Sequence, residues 1–434
     1  MRRLFWYLLI APISTLGVLA GGVLVHSYPA LTPVLELTGG NRAYNIEAAD
    51  SIAELREIRD RLIEQSQQKS SSATEGVPIT NPALLLQILQ ATEIRIQIEE
   101  TAQENWSTAV RNAEKASQLG TSTELEEAEA GEIYQLWSDA VRALREIPED
   151  SFLGAQAAAK LDEYKDKLGV AAYRYDSARS GFLDAIAEST GRASDVHVTV
   201  CNLQRECRRL RGNEPPASPA SLIKVPVAIA LTQKLEEENI DIDTPMLVSP
   251  RNFTEDAAKI WVGAEYPTRK VLLQMITHSS NIATNQLIDY MGTDYINQVL
   301  RDRGYRTTRV NTKLIGDNIA PAGLSGIPNQ ITTDELTDMM VGIYNNEHPG
   351  DDVILEGLVN QYDWDLAYEA IKRPAVWIGE KTGQNSKVLG TTAGVNIKGD
   401  RYVITVAINY TASEPAVKKV VKGIVDHLLA NDGF

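Results

Sequence analysis

Three short motifs follow one another along the second half of this chain and constrain its fold more than any other feature. They are S-x-x-K at Ser221–Lys224, S-x-N at Ser279–Asn281 and K-T-G at Lys381–Gly383. Each motif alone carries little information, since S-x-x-K also occurs at Ser66–Lys69 in a polar stretch. In this order they supply the parts of an acyl-transfer site in which a lysine activates a serine.

The first motif lies at the start of an apolar run that predicts a buried helix. Ser221 falls near the expected helix N-terminus, where unpaired N–H groups favour developing negative charge. Lys224 follows on the same helical face, among apolar neighbours such as Ile223 and Val225. Desolvation lowers the pKa of a lysine and lets it accept a serine proton. The pattern predicts Ser221 as nucleophile and Lys224 as general base; the alternative is a capped helix with a solvent-facing lysine.

The second motif lies at a junction between two helical patterns, Val271–Ile276 and Ile282–Met291. Side chains at such a junction can face a cleft. There Ser279 is suited to relay a proton to a leaving group, and Asn281 to bind a substrate amide. The alternative for Ser279 is a loop or capping serine.

The third motif follows a strand-like run, Val376–Glu380, and is expected to end that strand. Lys381 brings a positive charge, Thr382 a hydroxyl for a carboxylate, and Gly383 room for a close approach of the backbone. An exposed strand also offers backbone groups to an extended substrate. The alternative is a solvent-facing lysine at a strand end.

Strand and helix patterns surround the motifs. A hairpin of residues 196–200 and 208–211 is predicted before Ser221, and two strands, about 389–397 and 402–410, after the third motif. Apolar residues at helical spacing predict a final amphipathic helix. They are Val417, Val420, Val421, Ile424, Val425 and Leu428.

Taken together, these motifs and elements resemble the penicillin-recognising serine hydrolases, and their spacing is most similar to that of class A β-lactamases. The resemblance covers residues 190–434. It implies an α+β, β-lactamase/transpeptidase-like domain, in which helices flank a five-stranded antiparallel sheet.

The resemblance also implies roles for individual residues. Ser221 is then the acylated nucleophile, Lys224 is its base, and backbone N–H groups of Ser221 and Gln384 form the oxyanion hole. The remaining cleft residues that it implies are Ser279, Asn281, Lys381, Thr382 and Gly383. The implied substrate is a β-lactam or a D-Ala-D-Ala-type peptide, and no cofactor is needed.

One part of the class A pattern is missing. Those enzymes carry a glutamate between the second and third motifs that activates the deacylating water, but this chain has no glutamate between Glu265 and Glu335. Asp317 falls near the expected place. Its shorter side chain would misplace the water by about 1 Å, which costs roughly a hundredfold in rate. The alternative is that Asp317 is a turn residue beside Gly316.

Three functions therefore remain open. The first is a β-lactamase whose acyl-enzyme hydrolyses slowly. The second is a D-alanyl-D-alanine peptidase, a penicillin-binding protein that acts on peptidoglycan stems. The third is a non-catalytic scaffold of the cell envelope, against which the intact set of three motifs argues.

Composition excludes other kinds of function. The chain has 58 acidic and 42 basic residues, a net charge of −16, which argues against nucleic-acid binding. Its five histidines form no H-E-x-x-H motif, and two cysteines alone do not make a zinc site, so no metal is expected.

The N-terminus predicts export. Arg2 and Arg3 precede an uncharged apolar run, residues 4–25, long enough to cross a bilayer as a helix. Residues 1–27 are therefore expected to anchor the protein in the cytoplasmic membrane, with the catalytic domain on the periplasmic side. A cleaved signal peptide is the alternative. Export would allow a Cys201–Cys207 disulfide across the predicted hairpin, the alternative being two buried thiols.

Residues 45–188 show helical periodicity, including a long predicted helix at about 82–119. The sequence W-S-x-A-V-R occurs at Trp106 and again at Trp137, which suggests a short helical repeat. The tryptophans are expected in the core. We expect this region to be a spacer or a module that docks a protein partner.

Overall fold

The computed structural model describes residues 45–67, 81–120, 125–255, 259–316, 318–362 and 365–434. The predicted membrane segment, residues 1–27, and the predicted site residue Asp317 lie outside these ranges. Within them, no helix combines the length and the apolar character needed to cross a bilayer.

The described residues between 45 and 188 are mainly helical, as predicted. The long helix predicted at about 82–119 is present as Pro82–Leu119. The helices are α1 Ile52–Gln67, α2 Pro82–Leu119, α3 Glu127–Arg145 and α4 Gly154–Ala178.

Two compact units divide the chain. Within the described residues, the first comprises residues 45–67 and 81–115 together with Leu136–Asp166. Its core contains Leu55, Leu62 and Ile88, which are fully buried. Trp137, in the second copy of the repeat, is only 7% exposed and packs edge-on against Tyr164, with the ring centroids 5.2 Å apart. This tryptophan is a core residue, as expected.

The second unit, Ala116–Gln135 with Lys167–Phe434, contains the three motifs. Its strands are β1 Val196–Asn202, β2 Cys207–Leu210, β3 Pro245–Leu247, β4 Glu265–Pro267, β5 Val376–Asn385, β6 Val388–Ile397 and β7 Asp400–Asn409. The helices after α4 are α5 Phe182–Glu188, α6 Lys224–Glu237, α7 Thr268–Thr277, α8 Asn281–Met291, α9 Thr293–Asp302, α10 Thr333–Asn345, α11 Asp351–Val359, α12 Ala367–Ala370 and α13 Glu414–Asn431.

The main sheet has five antiparallel strands in the order β2-β1-β7-β6-β5, which confirms the predicted α+β domain with a five-stranded antiparallel sheet. Successive side chains of β7 point to opposite faces of the sheet, and the core accordingly forms two layers. Ile404, Val406 and Ile408 pack in one cluster with the apolar face of α13, whereas Val403 belongs to the cluster that contains the apolar residues of α6 and α8.

Hydroxyl groups run across the buried face of the sheet. The register places Thr199, Thr405, Thr392 and Lys381 side by side on β1, β7, β6 and β5. Thr405 Oγ accepts a hydrogen bond from Thr337 Oγ of α10 at 2.7 Å and lies 2.8 Å from Thr392 Oγ. These hydrogen bonds add side-chain links to the backbone pairing of the strands that lead to the K-T-G strand.

The prediction that K-T-G ends its strand is wrong. Strand β5 continues to Asn385, with Lys381 opposite Thr392 and Gly383 opposite Gly390 on β6. Backbone pairing holds these residues in the sheet although their side chains lack the apolar alternation of a strand. As a result, the whole motif and Gln384 lie within the edge strand of the sheet.

The β1–β2 hairpin carries the two cysteines, and a disulfide joins Cys201 to Cys207. Arg205 lies in the turn between them, with a left-handed backbone at φ 64°. Its guanidinium donates two hydrogen bonds of 2.7 Å to the Glu347 carboxylate and one of 2.6 Å to Asp338. The turn is thereby fixed to α10 and the segment that follows it.

Glu347→Gln tests the energetics of this contact. Hydrogen bonds from Arg205 lower the pKa of Glu347 to about 2. A lowered folded-state pKa means that the stabilisation is complete above the unfolded pKa, about 4.3, and is lost as the pH falls towards 2. The carboxylate is part-exposed, so we expect a loss of about 1 kcal/mol in unfolding free energy at pH 7.

Urea unfolding of both proteins at several pH values measures this difference. The difference should shrink towards zero as the pH falls from about 5 to 2. Glu236→Gln, at an exposed position of α6, is the matched control and should give a small difference at every pH. A Glu347→Gln difference that does not vary with pH would contradict the interpretation.

Candidate active site

Ser221 lies in a short 3-10 turn, Ala220–Ile223, and α6 begins at Lys224. The regular helix therefore starts three residues later than the sequence predicts. Ala220 has a left-handed backbone, φ 44°, which brings the chain abruptly into the turn. Ser221 keeps partial exposure while its neighbours are buried, so its hydroxyl is the accessible group of this turn.

Lys224 is the first residue of α6 and is fully buried. Its Nζ donates to Ser279 Oγ at 3.0 Å, to Asn281 Oδ1 at 2.9 Å and to the Ser279 carbonyl oxygen. A buried amine is stable only when hydrogen bonds replace those it made to water. The first two motifs thus form a single buried polar cluster, as their predicted roles require.

The backbone at the end of α7 explains how the second motif reaches Lys224. Helix α7 ends at Thr277, and Ser279 takes a left-handed conformation, φ 55°. Ser280 then caps α8, since its Oγ accepts a hydrogen bond from Ala283 N at 3.0 Å. This reversal between two packed helices presents both a carbonyl and a hydroxyl of Ser279 to the same amine.

The K-T-G strand lies directly against the nucleophile turn. A Cβ added at Gly383 would lie 2.9 Å from Leu222 Cγ and 3.2 Å from the backbone nitrogen of Ser221. Only glycine allows this approach, as the sequence predicts. Gln384, the next residue, is exposed on the same strand.

Lys381 and Thr382 are buried in β5. Lys381 is fully buried and its Nζ donates to the Thr382 carbonyl oxygen at 2.9 Å. Thr382 is 5% exposed. All three motifs therefore meet around Ser221, with one lysine from α6 and another from β5.

A segment that follows α9 is bound to α8 by a residue that sequence reasoning missed. The Asn285 side chain donates to the Leu314 carbonyl oxygen at 2.9 Å and accepts from Leu314 N at 2.7 Å. Asn285 lies one helical turn after Asn281, so Leu314 is fixed near the site. The spacing of Asn281 and Asn285 is visible in the sequence, but the contact of Asn285 with Leu314 is not. Asp317 lies outside the described residues, and its role in deacylation stays a prediction.

Glu255 is a second residue that the sequence analysis did not single out. Its carboxylate accepts from the backbone nitrogens of Asn318 at 2.8 Å and Ile319 at 2.9 Å. Desolvation opposes the ionised form, but these backbone hydrogen bonds outweigh it and lower the pKa of Glu255. Because Glu255 precedes the second motif, a search between the second and third motifs does not find it.

Gln361 and Tyr362 were also missed, although Gln361 contacts the third motif and Tyr362 contacts the segment just before the second. Gln361 Nε2 donates to Thr382 Oγ at 3.2 Å, and Tyr362 N donates to the Thr277 carbonyl oxygen at 2.8 Å. No local pattern marks them, because their contacts arise only when α11 packs against β5 and α7.

Within the described ranges, no group of three or more histidine, cysteine, aspartate or glutamate residues is arranged to hold a metal ion.

Comparison with solved structures finds the same fold. A β-lactamase from Sphaerobacter thermophilus is 18% identical, with a TM-score of 0.50; the match covers 57% of this chain and 97% of that one. PBP-A is 20% identical, with a TM-score of 0.51, and the match covers 57% of this chain and 96% of that one. A β-lactamase from Chitinophaga pinensis is 18% identical, with a TM-score of 0.50, and the match covers 58% of this chain and 97% of that one. At these identities the likeness shows the fold. Comparison with curated proteins finds no match.

A sequence model described as the β-lactamase enzyme family matches residues 181–431, more than half of the chain. The match contains all three motifs and the whole five-stranded sheet. Together with the shared fold, it makes this protein a serine hydrolase acting on amides, with the penicillin-recognising fold. The chain therefore belongs to the β-lactamase enzyme family.

Proposed function

We propose that this protein opens β-lactam amides through an acyl-enzyme on Ser221, and that this acyl-enzyme hydrolyses slowly. The observation that carries the proposal is the buried amine of Lys224, bound by Ser279 and Asn281 directly behind the nucleophile turn. The family match and the shared fold support it.

Acylation follows from the positions of these groups. Lys224 donates three hydrogen bonds, so it must first release one proton before it has a lone pair to act as a base. The Ser221 hydroxyl oxygen then attacks the lactam carbonyl carbon, while the neutral amine of Lys224 accepts the hydroxyl proton. The carbon–nitrogen bond of the lactam then breaks: the Ser279 hydroxyl gives its proton to the leaving nitrogen and takes in its place the proton that Lys224 accepted from Ser221, which leaves the amine neutral again. Ser279 suits this step because its Oγ lies 3.0 Å from Lys224 Nζ.

The K-T-G strand supplies the remaining interactions. Its close contact with the nucleophile turn supports the proposal that the backbone N–H groups of Ser221 and Gln384 form the oxyanion hole. Lys381 and Thr382 bind the carboxylate of the substrate, Lys381 through its charge and Thr382 through its hydroxyl. The Asn281 amide binds the amide side chain of the substrate.

Deacylation is the weak step of the proposed cycle. Hydrolysis of the ester needs a group that activates water, and a carboxylate suits that task. The residue that Asn285 fixes beside α8 is Leu314, which is apolar. Asp317 remains the proposed carboxylate for this step, with a shorter reach than a glutamate.

A second candidate function is a D-alanyl-D-alanine peptidase that acts on peptidoglycan stems. It is favoured by the position of K-T-G within the edge strand β5, which offers its backbone to an extended peptide. The solved structures of this fold include PBP-A, among them an acyl-enzyme with penicillin G. A non-catalytic scaffold is less well supported, because all three motifs are assembled around Ser221.

Labelling with a fluorescent penicillin tests the proposal. Residues 40–434 are labelled, chased with unlabelled drug, and followed by in-gel fluorescence. We expect a label that persists for many minutes in the wild-type protein and is absent from Ser221→Ala. Label lost within seconds would show a rapid β-lactamase and contradict slow deacylation. Persistent labelling of Ser221→Ala would remove Ser221 from the mechanism.

We also propose that the catalytic domain acts in the periplasm, anchored by residues 1–27. The Cys201–Cys207 disulfide supports an oxidising compartment. A protease added to intact spheroplasts should therefore degrade the domain, with a cytoplasmic protein as the protected control. Protection of the domain until the membrane is lysed would contradict this location.

A further inference from the structure

Gln361 connects the segment after α11 to the K-T-G strand through a buried amide. Its Nε2 donates to Thr382 Oγ at 3.2 Å, and the two residues are 3% and 5% exposed. Its Oε1 is buried and has no hydrogen-bond partner within the described ranges. The amide therefore contacts the K-T-G strand through its donor end.

The backbone around Gln361 fixes the position of this amide. Gln361 N donates to the Leu358 carbonyl oxygen at the end of α11, and Tyr362 N donates to the Thr277 carbonyl oxygen at the end of α7. The Tyr362 ring stacks on His278, with centroids 5.3 Å apart and planes 11° from parallel. Gln361 is thus held between the elements that carry the second and third motifs.

The direction of the hydrogen bond has a chemical consequence. A hydroxyl group has one hydrogen to donate, and a carboxylate can only accept. Because the Thr382 hydroxyl accepts from Gln361, its hydrogen points away from the amide. An acceptor in place of Nε2 would instead draw that hydrogen towards itself.

We propose that Gln361 is a positioning residue that orients the Thr382 hydroxyl as a donor to the carboxylate of the substrate. This inference rests on the proposed function, in which Thr382 and Lys381 bind that carboxylate. Hydrogen bonds to a charged acceptor are the stronger ones, so the orientation favours anionic substrates over neutral analogues.

Two substitutions separate the effects of orientation and charge. Gln361→Glu places an ionised acceptor where the amide donated, which reverses the hydrogen bond. Gln361→Met removes the donor, adds no charge and nearly keeps the volume. Gln204→Glu is the matched control, since it makes the same charge change at an exposed position in the β1–β2 turn, at the far edge of the sheet from β5.

The measurement is the second-order rate constant for acylation by benzylpenicillin and by its methyl ester, which lacks the negative charge. The ratio of the two constants cancels any difference in the fraction of folded protein. We expect this acid-to-ester ratio to fall about a hundredfold in Gln361→Glu and about tenfold in Gln361→Met. It should be unchanged in Gln204→Glu, and the ester itself should react at a similar rate with every variant.

An equal loss of rate with acid and ester would mean that Gln361 only supports the fold, and would overturn the proposal. An unchanged ratio in both Gln361 variants would overturn it as well. If Gln361→Glu does not fold, Gln361→Met gives the same decision without a buried charge. If neither compound acylates the wild-type protein, the proposed function is refuted, and this inference with it. If the wild-type protein is acylated but the acid-to-ester ratio is unchanged in both Gln361 variants, only this inference is refuted.

Discussion

The burial of the Lys224 amine is the constraint on which the rest of the catalytic domain depends. An amine removed from water is strongly destabilising unless nearby acceptors replace its hydration. Here Ser279 offers a hydroxyl and a carbonyl oxygen, and Asn281 an amide oxygen. The same contacts that stabilise the buried lysine also place it beside the nucleophile turn, so stability and chemistry impose the same geometry.

Several elements of the surrounding fold position these groups relative to one another. Helix α6 carries Lys224, and the left-handed turn at Ser279 joins α7 to α8 in a way that presents its polar atoms. The sheet brings the third motif against the nucleophile turn, where Gly383 permits the close contact. Hydrogen bonds between threonine hydroxyls add side-chain links to the sheet that carries that motif.

The sequence predicted those parts of the site whose chemistry is local. The three motifs, the sheet and the long helix Pro82–Leu119 leave clear patterns of residue type and spacing. The extent of β5 was mispredicted, because pairing with β6 rather than side-chain alternation keeps Lys381 to Gly383 in a strand. The 3-10 turn at Ser221 was likewise hidden, since the apolar run looks the same as that of a helix.

Contacts between distant segments could not be predicted from the sequence. Asn285 binds Leu314, and Gln361 binds Thr382, only because packed helices bring them together. Glu255 accepts hydrogen bonds from backbone nitrogens more than sixty residues away. Any residue type can supply a backbone nitrogen, so the sequence does not mark such a contact. Such contacts position the chemical groups that the motifs provide, and they are where a structure adds most to a sequence.

The acylation rate of Lys224→Met tests the central claim most directly. Methionine fills the buried site but cannot accept the proton of Ser221. With a cooperative thermal transition confirming the fold, we expect acylation by benzylpenicillin to slow by about a thousandfold, the range of general-base catalysis. A folded variant that is acylated within about threefold of the wild-type rate would show that Lys224 is not the base, since loss of a positioned base costs at least about a hundredfold.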